Sequence, residues 1–84
     1  MMTEDEIVSK ELEFGNKYPY DVPEGKSPMM PDDWSYRAAR AVISNLRDRN
    51  GIKHGFDRVD EDTRIEIVRM IAHIIKAAYR ARQR

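Results

Sequence analysis

The sequence predicts an all-α protein: a helical hairpin preceded by a short N-terminal helix and an extended, proline-rich arm. Three observations predict this class. A capping-box pattern opens the chain, all four prolines lie between residues 15 and 31, and apolar residues recur at helical spacing in two segments after residue 33. With 84 residues and no cysteine, the chain makes one domain and has no disulfide to stabilise it. We divide it into residues 1–31, the short helix and arm, and residues 32–84, the hairpin core.

The N-terminal helix is predicted by its cap and its apolar stripe. Thr3 has Glu6 three residues later, which is the capping-box spacing. Gly15 can close the helix in a left-handed conformation, so we expect a helix from about Glu4 to Phe14. A helix this short is marginal in water and has to dock on the rest of the chain. Its apolar stripe consists of Ile7, Val8 and Leu12, with Phe14 as a candidate fourth member.

The arm, residues 15–31, is predicted to be extended because proline fixes φ and disfavours helix in the residue before it. Large apolar side chains along it, Tyr18 and Tyr20 among them, are expected to pin it across a surface. The four prolines are Pro19, Pro23, Pro28 and Pro31.

The middle helix is predicted from Trp34 to Arg49, capped by Asp32 or Asp33 and ended at Asn50-Gly51. Its apolar residues recur every four positions, and we expect Trp34 in the core. The apolar stripe consists of Trp34, Ala38, Val42 and Leu46, widened by Ala39 and Ile43.

The last helix is predicted from Glu61 to Arg82, after a loop over residues 51–59, with Asp60 as its cap. Its apolar face is too wide for one partner helix to cover. We therefore expect a homo-oligomer that completes a helical bundle, as two hairpins do in a four-helix bundle. The predicted oligomer interface consists of Ile67, Ile71, Ile74 and Ile75.

Charge is divided unevenly although the net charge is zero. Residues 1–33 hold nine acidic residues and three lysines, whereas residues 34–84 hold twelve basic residues and six acidic ones. This division favours an anionic partner for the helical body. The alternative is that the acidic arm neutralises the basic body, within one chain or between neighbouring chains.

Motifs for catalysis or cofactor binding are absent from the sequence, which contains no phosphate-binding glycine loop, nucleophile elbow or paired-histidine motif. His54 and Asp57 are three residues apart in the predicted loop, a weak pattern. The acidic residues 60–62 are explained as a helix N-terminus and not as a calcium loop. We predict no enzyme activity, no cofactor and no metal.

Basic side chains carry the remaining signal. The middle-helix arginines mostly lack an acidic partner one turn away, apart from Asp33, which can meet Arg37. Arginine suits phosphate because its planar fork donates two parallel hydrogen bonds. The alternative is a solvated basic face. The predicted ligand-binding residues are Arg37, Arg40, Arg47, Lys53 and His54.

Several short motifs after Trp34 also carry a resemblance. They are Arg37-Ala38-Ala39-Arg40, Asp48-Arg49-Asn50-Gly51-Ile52-Lys53-His54, Asp60-Glu61-Asp62, Arg64, Glu66-Ile67-Val68 and Ile74-Ile75. With them, the last part of the chain resembles short uncharacterised proteins encoded by bacteriophages and prophages. The resemblance implies an accessory role, such as disarming a host defence, and implies no catalytic activity.

The predicted function is that of a non-enzymatic, phage-type protein that forms oligomers in the host cytoplasm. It is predicted to sequester an anionic small ligand, and a nucleotide immune signal is the preferred candidate. Deleting residues 1–17 should then matter little for binding. An alternative is an inhibitor of a host defence protein that acts through its acidic arm, with Tyr18 and Tyr20 as contacts. Nucleic-acid binding is a third, disfavoured by the zero net charge. No apolar run is long enough for a membrane span.

Overall fold

The computed structural model describes residues 1–82, which form four helices and no strand. The all-α prediction is confirmed for this part of the chain. In chain order the helices are α1 (Glu4–Lys17), α2 (Trp34–Arg47), α3 (Ile52–Asp57) and α4 (Glu61–Arg82).

The helix starts follow the predicted caps. Thr3 Oγ1 accepts a hydrogen bond from the Glu6 backbone N–H at 3.2 Å, and the Glu6 carboxylate accepts one from the Thr3 N–H in return. Asp33 is the cap of α2, and its Oδ1 accepts from the Ser35 N–H at 2.9 Å. Asp60 Oδ1 accepts from the Thr63 N–H at 2.8 Å at the start of α4. Local sequence therefore sets where three of the helices begin.

The glycine at position 15 does not end α1, contrary to the prediction, because α1 continues to Lys17. Gly15 is buried against α2, and a Cβ placed on it would lie 2.8 Å from the Arg40 carbonyl carbon and 2.9 Å from the Ala41 nitrogen. Only hydrogen fits at that distance. The glycine thus lets the two helix backbones approach closely, which docks α1 on α2.

Helix α2 lies at the centre of the fold, since it contacts α1, α3 and α4. The buried apolar residues come from α2 and α4 alone, and three α4 isoleucines, at 67, 71 and 75, pack partly buried against them. Much of the face predicted as an oligomer interface therefore covers the chain's own core. The buried core consists of Tyr36, Ala39, Ile43, Val68 and Ala72.

Trp34 is not in this core, contrary to the prediction. It is half-exposed at the start of α2, where its ring makes an edge contact with Tyr79 of α4 at a centroid distance of 5.3 Å. The end of α2 also differs, because the helix stops at Arg47, two residues earlier than predicted.

The predicted loop over residues 51–59 contains the short helix α3. Gly51 precedes it with a φ of 88°, a left-handed conformation that glycine adopts without strain. Phe56 of α3 then packs against the core beside Tyr20. Anchoring by Phe56 explains why this segment is ordered as a helical turn. Among residues 1–82, none of the helices combines the length and apolarity needed to cross a bilayer.

Candidate functional site

A buried ion pair fastens the arm to the helical body. Arg40 Nε donates to Asp21 Oδ1 at 2.8 Å, Arg40 Nη2 donates to Asp21 Oδ2 at 3.1 Å, and Nη2 also donates to the Met29 carbonyl. Arg40 is 2% exposed and Asp21 is fully buried. The guanidinium is thus already satisfied by the arm. Arg40 therefore has a structural role in holding the arm, and its assignment as a ligand contact stays a prediction.

Tyr20 forms the second anchor of the arm. Its hydroxyl donates to the Phe56 carbonyl, and its ring lies between the guanidinium groups of Arg47 and Arg64, whose carbons are 5.6 and 5.8 Å from the ring centroid. Burial raises the pKa of the Tyr20 hydroxyl, and the charge of Arg47 opposes that shift. Tyr20 therefore serves the chain's own packing, whereas Tyr18, the other tyrosine predicted to contact a partner, remains exposed.

Acidic groups within residues 1–33 neutralise cations of the helical body at two places. Asp21 pairs with Arg40, and Asp33 Oδ2 accepts from Lys76 Nζ of α4 at 3.1 Å. The Arg64 guanidinium adds a hydrogen bond of 2.9 Å to the Val22 carbonyl of the arm. Part of the charge division is therefore compensated within one chain, as the alternative interpretation of the charge pattern predicted.

A cleft with aromatic walls lies where the end of α1, the start of the arm and the end of α2 meet. We call it the aromatic cleft; its volume is about 220 Å³, and Phe14, Tyr18, Tyr20, Arg47 and Lys53 line it. The rings of Phe14 and Tyr18 stack, with centroids 6.2 Å apart and planes inclined by 20°. This arrangement offers flat apolar surface next to two cations.

A second cleft, the basic cleft, lies at the turn between α2 and α3. It has a volume of about 280 Å³, and its lining includes Arg47, Asp48, Arg49, Lys53 and His54. Arg47, Asp48 and Lys53 line both clefts. Four of the five predicted ligand residues thus line the two clefts. Arg40, Arg47 and Lys53 line the aromatic cleft, and His54 joins Arg47 and Lys53 in the basic cleft.

Arg47 is the residue at the boundary of the two clefts. Its Nη2 and Nε atoms donate to Asp57 Oδ1 of α3 at 2.8 and 3.2 Å. The side chains of this pair are 34% and 39% exposed. Exposed ion pairs contribute about 0–1 kcal/mol to stability, so an anionic ligand can compete with Asp57 for the guanidinium. Lys53 has no ion-pair partner within residues 1–82.

Arg37 lines neither cleft, and its assignment to the ligand site stays a prediction. With the Asn16 amide oriented by its hydrogen bonds, the Asn16 oxygen accepts from Arg37 Nη2 and Nε at 2.9 and 3.2 Å. Arg37 therefore ties α2 to the end of α1. Asp33, its predicted partner, binds Lys76 instead. Arg40 and Arg47 have no acidic partner one turn away on α2, but each pairs with an aspartate that is distant in sequence.

Sequence reasoning missed Phe14 as a site residue. The signal was present, because Phe14 and Tyr18 are four residues apart, a spacing that places two side chains on one helix face. The predicted helix end at Gly15 hides this signal, because Tyr18 then lies outside the helix. Asp48, which lines both clefts, was also missed, and its carboxylate reduces the net positive charge of the site.

Comparison with known proteins gives no match: no family model matches the chain, and no curated protein or solved structure matches it. Within residues 1–82, no cluster of three or more histidine, aspartate or glutamate side chains is arranged to hold a metal ion. The site is thus defined by its own geometry, as paired aromatic rings next to exposed cations.

Proposed function

We propose that this protein binds, without chemical conversion, a small anionic ligand that carries a planar ring, and that a nucleotide is the best-fitting class. One observation carries the proposal: the aromatic and basic clefts adjoin and share Arg47 and Lys53. A ligand placed across both would meet aromatic rings at one end and cations at the other.

Each part of a nucleotide has a counterpart in this arrangement. A base can stack on the face of Phe14 or Tyr18, and such stacking contributes about 1–3 kcal/mol per base in other proteins. A phosphate can accept charge-assisted hydrogen bonds from Arg47 and Lys53, and also from His54 when the imidazole is protonated. Asp48 at the boundary disfavours ligands with closely spaced charges there, so we expect one phosphate group in contact with Arg47 and Lys53.

The biological role that we propose is sequestration of a nucleotide signal of a host defence. The support for this role is a site that offers binding groups for a planar, anionic ligand; the resemblance to phage proteins stays a prediction from the motifs after Trp34. The inhibitor alternative loses support because Tyr20, one of its two predicted contacts, binds the chain's own α3, whereas Tyr18 remains exposed.

The test is a calorimetric titration with mononucleotides and cyclic dinucleotides, with inorganic phosphate and a nucleoside as half-ligand probes. A true ligand should bind more tightly than either half. Charge-assisted hydrogen bonds contribute about 1.5–3 kcal/mol each, so Arg47→Ala and Lys53→Ala should each weaken binding about tenfold or more.

Arg58→Ala is the matched control, because it removes an exposed arginine that lines neither cleft. Equal losses in Arg58→Ala and Arg47→Ala would show a diffuse charge effect and contradict the site. Conversion of a nucleotide by the purified protein, lost in His54→Ala, would contradict binding without chemistry.

A further inference from the structure

A groove of apolar side chains remains open between α1 and α2, away from the two clefts. We call it the apolar groove; its volume is about 480 Å³. Val8 on one wall is 55% exposed and Val42 on the other is 42% exposed, so the groove is uncovered in the single chain. Its apolar lining consists of Ile7, Val8, Leu12, Ala38, Ala41, Val42 and Leu46.

Glu11 also lines this groove; Ser44 and Asp48 hydrogen-bond its carboxyl group, but one of its two oxygens lacks a partner. It is 9% exposed, and its Oε2 atom makes no hydrogen bond within residues 1–82. Burial raises the pKa of the Glu11 carboxyl, and the nearby charge of Asp48 raises it further. A buried carboxylate oxygen without a donor is costly. A cation supplied from outside the chain would satisfy it.

The same chain carries a surface of the complementary kind on α4. Ile74 is 63% exposed and Met70 is 46% exposed, although both are large and apolar. Together with the exposed Ala77 they share one face of the helix, since their spacings are three and four residues. We call these three residues the exposed stripe. Arg69, His73 and Arg80 lie beside it on the helix surface.

We propose that the exposed stripe of one copy occupies the apolar groove of a second copy. Charge complementarity supports this occupant: α1 opens with Glu4, Asp5 and Glu6, whereas α4 has no acidic residue between Val68 and Arg82. Arg69 or Arg80 beside the stripe would then reach Glu11. The lengths agree as well, because both α1 and the segment from Met70 to Arg82 extend about 18–21 Å at 1.5 Å per residue.

The contact joins two different surfaces and is therefore head-to-tail. It differs from the α4–α4 bundle that the sequence suggests, in which the same isoleucines would meet across a two-fold axis. Three of those isoleucines, at positions 67, 71 and 75, already pack against the chain's own core, whereas Ile74 does not. A two-fold dimer would contain the head-to-tail contact twice, and a ring would repeat it.

The experiment measures mass in solution by light scattering for the full chain and three variants. Val8→Glu places a charge in the groove and Ile74→Asp places one in the stripe; both positions are exposed in the single chain, so the fold should survive. The parent should have the mass of two or more chains, and each variant that of one chain. Ile52→Glu, an exposed apolar position outside both surfaces, is the control and should keep the parent mass.

Mixing the two single-chain variants tests the head-to-tail geometry. The Val8→Glu chain keeps an intact stripe and the Ile74→Asp chain keeps an intact groove, so the mixture should form a one-to-one heterodimer. A monomeric parent would overturn the proposal. A Val8→Glu variant that keeps the parent mass would also overturn it and indicate an α4–α4 interface instead. The measurement needs no ligand, so its outcome is independent of whether the clefts bind a nucleotide.

Discussion

Two arginine–aspartate pairs on the same helix have the same shortest distance and different environments. Arg40 and Arg47 both come from α2, and each approaches its aspartate to 2.8 Å. The Arg40–Asp21 pair is buried under the arm, whereas the Arg47–Asp57 pair is about one-third exposed at the rim of two clefts.

The difference shows how burial decides what a charged side chain can do. A buried guanidinium must keep its partner, because removing one member leaves an unpaired charge in a low-dielectric interior. An exposed guanidinium can exchange its partner for an anion at small cost, since water and salt already weaken the pair. We therefore regard Arg40 as a fastener of the arm and Arg47 as a binding residue.

The largest expected effect is the loss of the buried pair. Asp21→Ala should lower the free energy of unfolding by about 3–5 kcal/mol, because Arg40 would remain buried without a carboxylate. Urea unfolding followed by circular dichroism measures this. Replacing both members, Asp21→Leu with Arg40→Met, should recover most of the loss. An Asp21→Ala variant as stable as the parent would contradict the structural role of the pair.

The next largest effect is expected from the close contact between Gly15 and the backbone of Arg40. Gly15→Ala should destabilise the chain by about 1–3 kcal/mol, because its Cβ would press on the Arg40 carbonyl carbon and separate α1 from α2. Alanine otherwise favours a helix over glycine, so the sign of the change is informative. Ser9→Ala, an exposed position in α1, is the control and should change little. Stabilisation by Gly15→Ala would refute the close approach.

The exposed pair should respond in the opposite manner. Asp57→Asn should change the free energy of unfolding by less than about 1 kcal/mol. It should nevertheless strengthen binding of a phosphate-bearing ligand several-fold, because it removes the carboxylate that competes for Arg47. Urea unfolding and calorimetry with inorganic phosphate test the two halves. Weaker binding in Asp57→Asn would show that Asp57 positions Arg47 for the ligand and does not compete with it.

The smallest effects are those of pH on two other carboxyl groups. Hydrogen bonds from Ser35 and then Lys76 hold the pKa of Asp33 well below its ordinary value of 3.8. The stability that Asp33 contributes is therefore present above pH 3.8 and is lost as the pH falls below it. Asp33→Asn, which keeps a helix cap, should make urea midpoints less sensitive to acid in that range.

The effect of pH on stability should have the opposite sign for Glu11. Its pKa is raised above 4.5 by burial, so its ionised form costs stability at neutral pH, and the cost is relieved as the pH falls through the raised pKa toward 4.5. In the single-chain Ile74→Asp background, Glu11→Gln should therefore raise the urea midpoint at neutral pH and remove this acid-side gain. Lys10→Gln, a change at an exposed neighbouring position, should alter neither the urea midpoint at neutral pH nor the gain at acid pH.

Helix positions were largely predictable because their signals are local. The caps at Thr3, Asp33 and Asp60 act within three residues, and the apolar residues that recur at helical spacing from Ile65 onward lie within α4. Gly15 was wrongly predicted to end α1, because glycine is suited both to the end of a helix and to a close contact between two helices. Which role applies depends on whether another backbone lies within about 3 Å, and that is a tertiary fact.

The candidate site was only partly predictable for a related reason. Lys53 and His54 could be grouped with Arg47 because they are close in sequence. The contacts of Arg37 and Arg40 depend on Asn16 of α1 and Asp21 of the arm. These two residues lie about twenty positions earlier in the sequence and meet α2 only in the folded chain. Rules for neighbours one helical turn apart do not reach partners at that separation.

The ring contact between Trp34 and Tyr79 gives the protein an internal optical reporter. The chain has a single tryptophan, and its indole sits half in water against α4. Its fluorescence therefore reports the separation of α4 from α2, while far-ultraviolet dichroism reports total helix. If the arm and α1 detach before α4 does, dichroism should begin to fall while the tryptophan emission is still native. A two-state chain would give coincident curves.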